Sequence, residues 1–182
     1  MNKIKTLIIG QSPFDNKDYE NKNYSNNCIF NDIAFIPVPK KGNTDKNYYT
    51  GITSYKRMLG VINKTKINDR NLKHYHNSVN NKLANLFKYG TYLVNFSELN
   101  DTKFTNKANN IPCNFFKSDY FSKDITLICF GNKAIDNIKK LNLSNKILEF
   151  PHPSGQNLHS LWYEFYGTPR EYNGAIEITN EF

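Results

Sequence analysis

The sequence predicts an α/β fold three layers deep, with helices on either side of a central, mainly parallel four-stranded sheet. Three observations lead there. Four short segments are rich in β-branched, leucine or aromatic residues and are bounded by Gly or polar residues. Helical periodicity fills the intervals between them. Each apolar segment runs into a polar or Gly-containing stretch, and in open parallel sheets ligands sit at such carboxyl ends.

The first strand is expected at residues 4–9 (IKTLII), ending in Gly10-Gln11-Ser12-Pro13-Phe14. Residues 16–27 and 40–47 read as loops, rich in Asn and Lys and without apolar periodicity. A helix is expected at 53–62, with Thr53 or Ser54 as its N-cap. A second at 78–89 places Val79, Leu83, Leu86 and Phe87 at helical spacing and stops at Gly90. The second strand is residues 91–95 (TYLVN), followed by a loop over 100–110. The third strand, 125–130 (ITLICF), leads through Gly131-Asn132 into a helix at 133–141. The fourth, 146–150 (KILEF), ends in Pro151-His152-Pro153-Ser154-Gly155, ahead of a helix at 158–166. The segment GAIEIT near the C-terminus reads as a small edge strand. The four strand tips are therefore expected to converge on one crevice within one domain, 1–182.

Composition narrows the function. The 182 residues suit a single core, with aromatic content of 14% and a mean hydropathy of −0.66. The net charge of +8 favours a polyanionic partner, nucleic acid before membrane surface. A coding bias that writes Lys wherever a charge serves is the plain alternative. Cys28, Cys113 and Cys129 form no C-x-x-C pair, which argues against a zinc ribbon or a four-cysteine cluster. Cys129 reads as core. His74 and His76 form H-x-H without a nearby carboxylate or Cys and read as a surface loop, not a metal site. No secretory apolar region or long apolar span appears, so a reducing, cytoplasmic setting and no membrane are expected. Neither G-x-x-x-x-G-K-[ST] nor G-x-G-x-x-G occurs, which argues against a nucleotide-processing enzyme built on those phosphate loops.

PHPSG carries the most chemistry. Two prolines hold His152 on a stiff, extended backbone. Ser154 and the N–H groups of the turn can grip a phosphate. A catalytic histidine and a histidine capping its own turn fit this motif equally.

Five motifs, in order, resemble those of the uracil-DNA glycosylase superfamily. Gly10-Gln11-Ser12-Pro13-Phe14 is similar to the main family's G-Q-D-P-Y, and Ala34-Phe35-Ile36-Pro37-Val38-Pro39 to A-F-S-V-P. Tyr92-Leu93-Val94-Asn95 resembles L-L-L-N, and Phe130-Gly131-Asn132-Lys133-Ala134 resembles W-G-x-x-A. His152-Pro153-Ser154-Gly155-Gln156-Asn157 resembles H-P-S-P-L-S. The matches span most of the chain.

The resemblance implies a monomeric DNA glycosylase without metal or cofactor, which flips a base from DNA and hydrolyses its N-glycosidic bond. Phe35 would be the stacking platform and Asn95 the reader of the base edge. Gln11 would add base contacts, and Phe14 would crowd the C5 position. His152 would stabilise negative charge at pyrimidine O2. Ser54, Ser154 and Gly155 would pinch phosphates, and Gln156 or Leu158 would wedge the duplex. Where the family has the Asp of G-Q-D-P-Y, which positions water and balances the cationic sugar, this chain has Ser12. Asp15 in the same loop is the nearest substitute, with Asp18 and Glu20 farther off. Catalysis through His152 and leaving-group stabilisation is the second route, and binding without cutting the third. Asn95 can pair with uracil or, turned over, with cytosine. The substrate is therefore open between uracil and a modified pyrimidine, including the hypermodified cytosines of phage DNA in an antiviral role.

Overall fold

A computed structural model of the protein describes residues 3–14, 16–25, 28–156 and 161–162. Strand β1 (Thr6–Gly10) is buried along its whole length, with Leu7, Ile8 and Ile9 at the centre of the core. The hairpin β2 (Tyr19–Asn23) and β3 (Asp32–Pro39) follows. Next come α1 (Thr53–Asn63), α2 (Leu72–Lys88) and β4 (Thr91–Asn95). A single turn, α3 (Phe96–Leu99), leads to a small hairpin, β5 (Phe104–Asn106) and β6 (Ile111–Cys113). The chain then enters β7 (Thr126–Phe130), α4 (Asn132–Lys139) and β8 (Ile147–Phe150).

The central sheet has the order β4-β1-β7-β8, and every pairing is parallel. Parallel neighbours need crossovers, and these are right-handed almost without exception. From β1 the chain crosses outward to β4 through α1 and α2. From β7 it crosses the other way to β8 through α4. Those opposite directions place α1 and α2 on one face and α4 on the other. They also make the C-terminal ends of β1 and β7 the point where strand order reverses, the usual ligand position in such sheets.

The four expected strands are present, displaced by one or two residues at some ends. Several other readings are corrected. The segment 16–27 is not a plain loop: it contains β2, whose Asn21 is buried. Residues 100–110 contain β5. Helix α2 begins at Leu72, ahead of 78, and so takes in His74 and His76. Two helical residues two apart do not share a face, so the H-x-H is no metal pair. His76 instead stacks on Tyr49, centroids 3.6 Å apart, and its Nδ1 shares a 2.8 Å hydrogen bond with the Tyr55 hydroxyl. Among the described residues no group of His, Cys, Asp or Glu is placed to hold a metal. Helix α1 is capped by Ile52 rather than by Thr53 or Ser54, and no side chain satisfies its first N–H groups. Cys129 is core as expected, and burial pushes its thiol up to about 12. No helix among the described residues is long and apolar enough to cross a membrane. The helix expected at 158–166, apart from buried Leu161 and Trp162, and the edge strand GAIEIT lie outside the described residues.

Candidate functional site

A cavity of about 340 Å³ opens at the C-terminal ends of the strands. The first motif supplies one wall, from Gln11 to Phe14; Phe35, Ser54, Asn21 and His152 supply the others. Each wall has a local structural cause.

Phe35 reaches the cavity through a defect in its strand. Register between β2 and β3 jumps from Asn21↔Pro37 to Lys22↔Ile33, leaving residues 34–36 without partners. The bulge bends β3, and Phe35 takes φ 65, a left-handed conformation rare for an aromatic residue. Its ring then lies over the end of β1. A Cβ built at Gly10 would come within 2.8 Å of the ring's Cζ and 3.3 Å of Asn95 Oδ1. Only a residue without a side chain lets the ring and the amide meet there. The ring packs edge-on against Phe130 at 5.9 Å and stands 6.0 Å from the imidazole of His152. It is 7% exposed, held by the core yet open on the cavity side.

Asn95 closes β4, paired in register with Gly10. It is 2% exposed, and its Nδ2 is buried without a hydrogen-bond partner. A native protein rarely leaves such a donor unsatisfied, since desolvating it costs about 1–3 kcal/mol. A ligand carbonyl in the crevice is the kind of group that would recover this.

His152 sits on the rigid Pro151–Pro153 bracket. The Ser154 N–H donates to its Nδ1 at 3.1 Å, so in the neutral ring the proton resides on Nε2. Burial holds its pKa below the ordinary value, favouring that neutral form. The ring lies over Gly131 (φ 88), where an added Cβ would come within 2.9 Å of its own Cβ. Arg57, buried on α1, donates to the carbonyls of Pro153 and Ser154 and fixes the turn from the other side. Gly155 rests close to Thr53, and Ser54 in the first turn of α1 faces the cavity. A smaller cavity continues past Gln11 and His152 to Gly131, Asn132 and Lys133.

Asn21 is the residue sequence reasoning missed. Its Oδ1 accepts the Phe14 N–H at 2.7 Å, and its Nδ2 donates to the Ile33 carbonyl at 2.7 Å. One buried amide thus ties the first motif to the foot of the bulge. No periodicity in YENKN marked it, because a lone inward Asn among polar residues carries no apolar signal.

Gln11, Ser12, Phe14, Phe35, Ser54 and His152 therefore line one cavity, while Asn95 is not among its lining residues and lies buried at the end of β4 beside Gly10. Ser12 is exposed. Ser154 is half-buried, while Gly155 and Gln156 are exposed. Asp15 and Leu158 lie outside the described residues. Asp18 and Glu20 are exposed, and no carboxylate among the described residues lines the cavity. In comparisons with known proteins, the chain matches no family model, no curated protein and no solved structure.

Proposed function

We propose that this chain is a DNA glycosylase of the uracil-DNA glycosylase type, which takes an everted pyrimidine into the crevice and releases it by hydrolysis of the N-glycosidic bond. The observation that carries the reading is the Phe35 ring, brought by a strand bulge into a cavity whose other wall is His152, with the buried, unsatisfied Asn95 amide at the neighbouring strand tip. A flat heterocycle with acceptors on two edges answers all three groups.

In this reading the base stacks on Phe35, and Asn95 Nδ2 donates to the 4-keto oxygen. His152 donates from Nε2 to O2, where negative charge grows as the bond breaks. Phe14 crowds the C5 side against a thymine methyl. Ser54 and Ser154 contact flanking phosphates, and the positive charge of the chain adds salt-sensitive affinity. Ser12 orders water without supplying charge, so the reaction leans on leaving-group stabilisation. The exposed Ser12, which offers a hydroxyl in place of a carboxylate, favours a second reading, a protein that binds the base without cutting.

An alkali-cleavage assay on oligonucleotides carrying uracil, hydroxymethyluracil, hydroxymethylcytosine or glucosylated hydroxymethylcytosine tests both. Strand breaks on one substrate, reduced about 10²–10³-fold in His152→Ala, support the enzyme. Tight binding without an abasic product on any substrate supports the second reading. Neither cleavage nor base-dependent binding removes both.

A further inference from the structure

The turn that carries His152 is held from behind by α1. Arg57 stands three residues after Ser54, so the helix face that offers Ser54 to the crevice also carries Arg57 to the turn. Arg57 is 5% exposed, and its Nη1 donates to two successive carbonyls: closely to Ser154, and at 3.4 Å to Pro153. The guanidinium carbon also lies 5.7 Å from the ring centroid of Trp162, which is fully buried. A cation withdrawn from water needs partners of this kind, and bonds from a charged donor are stronger than neutral ones.

Those carbonyls lead on to the histidine. The Pro153 carbonyl and the Ser154 N–H belong to one peptide group, whose conjugation passes polarisation from oxygen to nitrogen. The same N–H donates to His152 Nδ1 at 3.1 Å. A chain therefore runs from guanidinium through carbonyl and amide to imidazole, with each donor pointing onward. At 3.4 Å the Pro153 contact is long. Anchoring thus falls to the Ser154 carbonyl, and the Pro153 carbonyl feels the cation chiefly as a charge. Bonds in such a chain strengthen one another, by about 10–30% each. The more firmly the Ser154 N–H holds Nδ1 as an acceptor, the more the ring keeps its proton on Nε2.

We propose that Arg57 is the positioning residue of His152: through the Pro153–Ser154 peptide it holds the imidazole in the tautomer that carries its proton on Nε2. It acts from behind the turn, through another residue. That the Nε2 proton serves a departing base rests on the glycosylase reading; the chain of bonds does not, and the test separates the two.

The full chain, labelled with ¹⁵N, is followed by NMR at about pH 8, where imidazoles are neutral. Multiple-bond ¹H–¹⁵N spectra read the tautomer of His152, identified by the signal missing from His152→Gln. The Nε2–H form is expected to dominate. Arg57→Met keeps the length and loses the charge, and should shift the tautomer ratio about fivefold toward Nδ1–H while the Ser154 amide proton moves upfield. Arg57→Lys keeps the charge without the fork and should shift the ratio less. On whichever oligonucleotide the unsubstituted chain cuts, Arg57→Met should lower kcat about tenfold and leave KM within about twofold. Should Arg57→Met not fold, Arg57→Lys carries the test, with the scalar coupling across the Ser154 N–H···Nδ1 bond in the unsubstituted chain. Absence of that coupling, or an unchanged ratio in every variant that folds, whatever its melting temperature, overturns the proposal. A shifted ratio in a chain that cuts no substrate leaves the proposal standing and counts against the glycosylase reading.

Discussion

Substituting Gly131 by Ala should damage the site through His152, and the size of the effect follows from the coordinates. Gly131 has φ 88 and ψ 149, a region essentially reserved for glycine. Any residue with a Cβ there costs about 1–3 kcal/mol in backbone strain. The new methyl would also stand 2.9 Å from His152 Cβ and 3.0 Å from its Cδ2. The imidazole cannot retreat freely, because its backbone lies between two prolines and its Nδ1 is held by Ser154. Overpacking of this kind adds about 1–3 kcal/mol. The expected loss is thus about 2–6 kcal/mol, of which only the second part runs through the histidine. A double-mutant cycle by urea unfolding separates the two. In a His152→Gly background the overlap vanishes and the strain remains, so the two substitutions should couple by about 1–3 kcal/mol. Base release, where it can be measured, should fall about a hundredfold in Gly131→Ala, since a displaced donor misses its oxygen. Additivity within about 0.5 kcal/mol would refute the claim that Gly131 exists to seat His152.

Three further outcomes are expected. Asn21→Leu strands the Phe14 N–H and the Ile33 carbonyl, and should cost about 2–4 kcal/mol by denaturant midpoint while loosening the first motif. Asn95→Leu removes a buried donor that has no partner, so stability should hold or rise by about 1 kcal/mol while base binding is lost; a clear drop in melting temperature would count against the unsatisfied amide. His152 and His76 both have pKa values lowered by burial, below the ordinary 6.5. Between the folded and unfolded values the unfolded chain binds more protons, so stability should be full above about pH 6.5 and decline as pH falls below it. His152→Gln should flatten part of that decline in urea midpoints measured across the range.

What the sequence made legible follows from where side-chain pattern reports backbone state. The core strands are short apolar runs ended by Gly or polar residues, and TYLVN and ITLICF carry that pattern plainly. The convergence of their tips follows from parallel topology alone. The β2–β3 hairpin was not legible, because YENKN has one inward side chain and that side chain is an amide. Its register jump depends on what Phe35 must reach, which no local propensity encodes. Helix α2 starts at Leu72, six residues ahead of the expected 78, because LKHYHN presents Leu72 without a following apolar stripe. His76 then packs through its ring face and a tyrosine hydroxyl, contacts that a hydropathy reading counts as polar and exposed. The capping of α1 failed for a related reason: Thr53 and Ser54 have the chemistry of a cap, yet Ser54 faces the cavity instead.

The strongest argument for a ligand at the crevice lies in the rules broken there together. Phe35 occupies a left-handed backbone position in the middle of a strand. Asn95 keeps a buried donor without an acceptor. His152 is withdrawn from water far enough to lower its pKa. Each departure costs stability, and any one alone could be accidental. They fall on three different parts of the chain and are brought together only by the folded topology, at the point where strand order reverses. Strain and unsatisfied polarity concentrated at one crevice have a common physical cause when a bound group relieves them. A molecule that stacks on Phe35 and accepts from Asn95 and His152 would relieve most of them at once, and a nucleotide everted from a strand has that shape.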